Sequence, residues 1–177
     1  MAVIIVAMWK TVLSVAAVVG AIALASTQLG AQDNAAREAR DRAEIEGLMW
    51  RYARALDTSN AEAYAAAYAP DGQFGTGPNA TKGRAALTKM ITDQRDRQAA
   101  AAAKGEAGPP MYHMTLNSIL TFVDKDHARL EAYYQTVFGA NGQKVPPRLA
   151  AAGREVNQLV RVNGQWLIQI RDVQPQD

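Results

Sequence analysis

The 177-residue chain contains no cysteine. That excludes disulfide staples, thiol nucleophiles and cysteine-ligated metal centres. Histidine is scarce as well. His113 and His127 are the 2 present, and neither has carboxylates at metal-ligand spacing, so no metal is expected. No phosphate loop, dinucleotide fingerprint or G-x-S-x-G nucleophile turn occurs, and no cofactor is implied. An excess of one charge is also missing. Of 19 Lys and Arg, Lys10 lies in the first 31 residues, leaving 18 bases against 17 acids. No basic face follows, so a nucleic-acid partner is not expected.

What is present begins with a leader. Lys10 precedes an uncharged run, Thr11 to Leu29, and Ala23-Leu24-Ala25 is a small-residue cleavage signature. The pattern predicts a signal peptide over 1–31, with an uncleaved membrane anchor as the alternative. Export without disulfides fits a bacterial periplasm. One domain, 32–177, remains.

Helical periodicity opens that domain. Ile45, Leu48, Met49, Tyr52 and Leu56 form an apolar stripe on a helix over 33–57. Thr58-Ser59-Asn60 is a break, with Asn60 a candidate N-cap. A second helix is expected over 61–69, carrying Tyr64 and Tyr68 one turn apart and stopped by Pro70. Residues 73–75 read as a short strand. A third helix is expected over 82–103, capped by Thr81. From Met111 the period becomes two. Strands are expected over 111–123, 127–138, 154–162 and 166–173, with a long loop at 139–153. Asn163-Gly164 is a strong hairpin signal. Helices followed by antiparallel strands predict an α+β domain, its helices packed on one face of a curved sheet.

The residues able to support chemistry are few. Asp57 lies at a helix C-terminus, where the dipole disfavours a carboxylate. It is either a turn-forming Asp or a placed acid/base group. His113 and Asn117 share one face of the first long strand with Thr115, Ile119 and Thr121. Tyr112, Met114, Leu116, Leu120 and Phe122 fall on the other. If the polar face is the interior, Asp57 and His113 can act across a pocket as base and acid. The apolar face would then join copies of the chain into a homodimer or homotrimer. Tyr52, Tyr64 and Tyr68 would surround the pocket, and Glu155 shares a strand face with Asn157.

These pieces, in this order, resemble a known family. LMWRYARALDTSNAEAYAAAYAPDGQF, TKGRAAL, MYHMTLN and GREVNQLVRVNGQWLIQIRDV are similar to the SnoaL-like branch of the nuclear-transport-factor-2-like superfamily, near the scytalone dehydratase type. The likeness runs from Ile45 to Val173. It implies a cystatin-like cone of curved antiparallel sheet closed by helices around one deep pocket. It further implies a catalytic Asp at Asp57, a catalytic His at His113 and a pocket aromatic at Tyr52. The dehydratase's second His is absent from Tyr134-Gln135-Thr136-Val137-Phe138, leaving Tyr134 as a pocket side chain. Its strand Asn falls near Glu155. An exported SnoaL-like chain is also similar to the γ-formaldehyde lyases that act on lignin-derived aryl dimers.

The expected function is therefore a cofactor-independent lyase or dehydratase for a small aromatic or polycyclic hydroxylated compound. The expected site is Asp57 and His113, with Tyr52, Tyr64, Tyr68, Asn117, Tyr134 and Glu155 toward substrate. A non-catalytic ligand-binding cup and an isomerase on the same fold are the competing expectations.

Overall fold

A computed structural model describes residues 32–140 and 146–174. The expected signal peptide, 1–31, and part of the 139–153 loop lie outside the described residues. The chain divides into two compact units, Met1–Arg42 and Ala43–Asp177. The described part of the first, 32–42, is helical. The second holds the core and the sheet.

In that second unit, α1 is residues 43–57. Its apolar stripe does what the spacing predicts. Ile45, Leu48, Met49 and Tyr52 are buried against Leu130, Leu159, Trp166 and Ile168 of the sheet, whereas Leu56 is only partly buried and Ala55 beside it is fully so. Glu44 pins the near end, its Oε1 accepting from the Trp166 backbone N–H at 2.9 Å. Helix α2, Ala61–Ala66, follows at once. It is shorter than expected because Tyr68 already belongs to strand β1, Tyr68–Phe74.

Pro70 therefore sits inside a strand and does not end a helix. Strand β1 pairs in parallel with β6, Gln165–Asp172, and their register breaks between Tyr68 and Gln73. An irregularity tolerates a residue with no N–H. Gly72 lies in the same stretch, where an added Cβ would come within 2.6 Å of the Ile168 carbonyl oxygen. The expected third helix starts later too. Thr81–Lys82 is a short strand, β2, and α3 is Arg84–Ala103 with Gly83 as N-cap.

Strands β3, Met111–Phe122, and β4, His127–Phe138, lie where the alternation puts them. Strand β5 is Arg148–Val162, six residues longer at its start than expected. Backbone pairing with Val137 and Phe138 carries the strand through Arg148 and Leu149. Three alanines and a glycine at 150–153 gave no alternation to read. The six strands run β2-β1-β6-β5-β4-β3 in a curved sheet that does not close. All pairs are antiparallel except β1 with β6.

Candidate active site

The corner after α1 fixes the first functional side chain. Asp57 is the last helical residue. The Asn60 N–H donates to the Ala55 carbonyl at 2.8 Å, and the Ser59 N–H donates to Leu56 at 3.1 Å. That double closure is a Schellman motif, with Ser59 in the left-handed position at φ 51°. A serine serves there because its hydroxyl donates to Gln98 Oε1 of α3 at 2.9 Å. Asn60 then caps α2 through its Oδ1, which accepts from Ala63 N–H at 3.0 Å. The turn satisfies itself, so the Asp57 carboxylate is available to reach elsewhere.

It reaches His113. Asp57 Oδ1 accepts the His113 backbone N–H at 2.9 Å and contacts ring Nδ1 at 2.8 Å. The two side chains retain 10% and 21% of their exposure, so the pair is sheltered but reachable. The expectation had placed them across a pocket; the structure puts them in direct contact. An ionised carboxylate only accepts, which assigns a proton to Nδ1. In the neutral ring, Nε2 then carries the lone pair. His113 lines a recess of about 370 Å³ with Thr115, Leu130, Met49, Trp50 and Ala53. Its Nε2 has no hydrogen-bond partner among the described residues.

Asn117 does not join them. Between Leu116 and Ile119 the β3–β4 register slips by one residue, and Asn117 takes φ 49°. That is a β-bulge, and it reverses which side chains face inward. His113 and Thr115 face in before it; Leu120 and Phe122 face in after it, against the core. Asn117 is exposed at the bulge itself. The two uninterrupted faces expected for this strand are corrected accordingly. Tyr112 and Met114 stay outward with Ile119, while Leu120 and Phe122 do not.

The three tyrosines pack together in the core. Tyr52, Tyr64 and Tyr68 are 3%, 1% and 0% exposed, and none lines the recess. Ring centroids of Tyr64 lie 5.2 Å from Tyr52 and 5.3 Å from Tyr68. The Tyr64 and Tyr68 hydroxyls share one hydrogen bond at 3.1 Å. Burial, chiefly, pushes both phenols well above their ordinary pKa. Tyr134 is half-buried on the inner face of β4, opposite Gly153. A Cβ at Gly153 would come within 2.9 Å of the Tyr134 ring, so the glycine makes room for it.

Glu155 is fully buried, but not alone. Arg171 of β6 donates to it through Nη2 and to Asn157 Oδ1 through Nη1 at 2.8 Å. Thr115 Oγ1 and Asn157 Nδ2 donate to Glu155 Oε1, each at 3.2 Å. The Arg171 guanidinium also lies 4.4 Å from the Tyr52 ring centroid. Burial works against the Arg171 charge, yet Tyr52 and Glu155 beside it outweigh that and raise its pKa. A chain of contacts thus runs from Thr115, a neighbour of His113 on the inner face, to the tyrosine cluster.

Arg171 and Thr115 were not among the expected site residues. Thr115 was visible on the His113 face. Arg171 was hidden by a second bulge. The Asn163-Gly164 hairpin taken without interruption puts Ile170 opposite Asn157. The register slips between Gln158 and Leu159, and Arg171 takes that place.

A model of the SnoaL-like domain matches residues 37–172. No curated protein matches the chain. An NTF2-like protein with a cystatin-like fold from Novosphingobium aromaticivorans is 25% identical, with a TM-score of 0.63 over 78% of this chain and 84% of that one. A candidate scytalone dehydratase from the same organism is 22% identical, with a TM-score of 0.59 over 78% and 85%. A protein from Catenulispora acidiphila, solved in complex with S-DNPA, is 20% identical, with a TM-score of 0.58 over 75% and 91%. The last two likenesses are ones of fold. With a six-stranded curved sheet, its helices on the inner face and a family match across nearly all the described residues, the chain belongs to the SnoaL-like domain family.

Proposed function

We propose that the chain is a cofactor-independent lyase or dehydratase acting on a small aromatic hydroxylated compound. The observation that carries this reading is the Asp57–His113 contact at the wall of the recess. The sequence expectation has Asp57 as base and His113 as acid; the direct contact supports a different assignment. His113 Nε2 is the proton-transferring group, and Asp57 orients it and stabilises the imidazolium.

In dehydration, Nε2 takes a proton from the carbon next to an aromatic ring or carbonyl. The C–H electron pair forms the new double bond. The neighbouring C–O bond breaks with its electrons, and the imidazolium returns the proton to that oxygen, so water leaves. In loss of formaldehyde, Nε2 takes the proton of a hydroxymethyl group. The C–C bond then breaks, formaldehyde departs, and the electron pair expels an oxygen leaving group that the imidazolium protonates. Either way His113 ends neutral. Trp50, Met49 and Leu130 supply an apolar wall for the ring, and Thr115 a polar point.

The test is incubation of the purified protein with aryl alcohols and lignin-type aryl dimers, with products identified by mass. Loss of water or formaldehyde supports the reading. A product of unchanged mass means an isomerase. Saturable binding with no product means a ligand-binding cup.

Two further readings belong to the proposal. Tyr112, Tyr133 and Leu149, 45%, 54% and 58% exposed, give the outer sheet face an apolar patch suited to a homodimer or homotrimer. Sedimentation of Tyr133→Lys and Leu149→Lys variants tests it: a monomeric wild type rejects it. The leader over 1–31 supports export, and N-terminal sequencing of the secreted protein tests that.

A further inference from the structure

A second recess, about 610 Å³, opens on a different stripe of α1. His113 is not among its lining residues, and its floor is apolar. Leu48, Ala55, Ala67 and Trp166 are all buried there. Its rim carries Arg51 and Arg54, one turn apart and exposed. Neither guanidinium has a hydrogen bond or ion pair among the described residues. The lining holds one acid, Glu44, whose Oε1 accepts the Trp166 backbone N–H at 2.9 Å and whose single charge the two arginines outnumber. Two unpaired forks over an apolar floor form an amphipathic cradle of ordinary ligand size.

We propose that this recess binds a small amphiphilic anion. Its carboxylate or sulfonate head sits between Arg51 and Arg54, and its apolar body lies on Leu48, Ala55 and Trp166. Guanidinium suits this role because its planar donors match a carboxylate two at a time. The linings of the two recesses share Trp50, but neither group proposed to act in proton transfer, Asp57 or His113, lines this one.

The experiment is NMR titration of the intact protein with octanoate and, separately, octanol. Octanoate is expected to bind about tenfold more tightly, as one charge-assisted contact implies. Amide shifts are expected at Ala63, Gln165 and Leu167 and not at His113 or Thr115. An Arg51→Gln/Arg54→Gln double variant, folded because both side chains are exposed, is expected to lose the preference. An Ala63→Leu variant, which narrows the recess, is expected to weaken both probes. Equal affinity for the two probes, shifts centred on His113, or an unchanged double variant would each overturn the proposal, as would no saturable binding.

Discussion

Asp57 and His113 are joined twice through one oxygen: Oδ1 takes the backbone N–H at 2.9 Å and meets ring Nδ1 at 2.8 Å. The first bond fixes the strand against the end of α1, and the second fixes the ring. Asp57→Asn is expected to keep the fold, because an amide oxygen still accepts the backbone bond. The same oxygen can still accept from Nδ1–H, but a neutral amide no longer stabilises an imidazolium. The expected loss in kcat is about a hundredfold to ten-thousandfold. His113→Ala is expected to abolish turnover outright. Steady-state kinetics on the cognate alcohol, with circular dichroism to confirm folding, checks both. Near-normal activity in either variant sinks the assignment.

Trp50 is 68% exposed yet lines the recess beside His113. A large indole left in water contributes little to folding but can cover a bound ring. Trp50→Ala is therefore expected to raise KM by about tenfold, leave kcat within a factor of about three, and change stability by less than about 0.5 kcal/mol. A matching fall in kcat would mean that the indole acts in the chemical step.

Most of this fold is legible in the sequence because the strongest periodic signals are local. The stripe from Ile45 to Tyr52 and the alternation of β4 needed no knowledge of partners. The site was less legible because two bulges reset the parity of its strands. At Asn117 the slip turns Leu120 and Phe122 inward and leaves the asparagine in solvent. Beside Gln158 the slip brings Arg171 opposite Asn157. A bulge depends on tertiary pairing, and here neither lies at a glycine. Tyr68 was misplaced for a related reason. Its spacing from Tyr64 suits a helix, but pairing with Ile168 draws it into a strand.

Ser59 occupies a left-handed position and holds Gln98 through its hydroxyl. Ser59→Gly relieves about 1 kcal/mol of backbone strain and loses a bond of similar worth, so stability is expected to change little. Ser59→Val has neither benefit. It is expected to cost at least about 2 kcal/mol and to reduce activity by displacing Asp57. Urea midpoints and kcat measured on both variants separate the two outcomes. A harmless valine would show that the corner does not position the carboxylate.

Tyr64 and Tyr68 give the protein a weakness in alkali. Burial raises both phenols well above their ordinary value of 10.0. Below that value both states are protonated, and the full stability is present. Above it, the unfolded chain loses these protons while the folded chain keeps them, so stability falls as pH rises. The expected slope is about 1.4 kcal/mol per pH unit for each group. Urea unfolding between pH 9 and 11.5 checks it. A Tyr64→Phe/Tyr68→Phe double variant removes both hydroxyls as a pair and is expected to flatten the slope. Parallel curves for variant and wild type would refute the account.

Glu155 and Arg171 test whether the buried ion pair is a source of stability or of placement. Both side chains are buried, and Glu155 is also held by Thr115 and Asn157. Desolvating two charges offsets most of their attraction, so the pair by itself contributes little net stability. Removing one partner is another matter. Glu155→Leu strands a guanidinium in the core, and Arg171→Met strands a carboxylate. Each is expected to cost about 3–5 kcal/mol. The double variant strands no charge. It leaves Asn157 short of two partners, a cost of about 1–3 kcal/mol, so it is expected to be more stable than either single variant. Its activity is the informative measurement. Arg171 supports the Tyr52 ring at 4.4 Å, and Glu155 holds Thr115 beside the recess. If the network positions the recess wall, the double variant folds but binds substrate with a raised KM. If KM stays at the wild-type value, the network serves the core alone, and the recess owes its shape to α1 and β3.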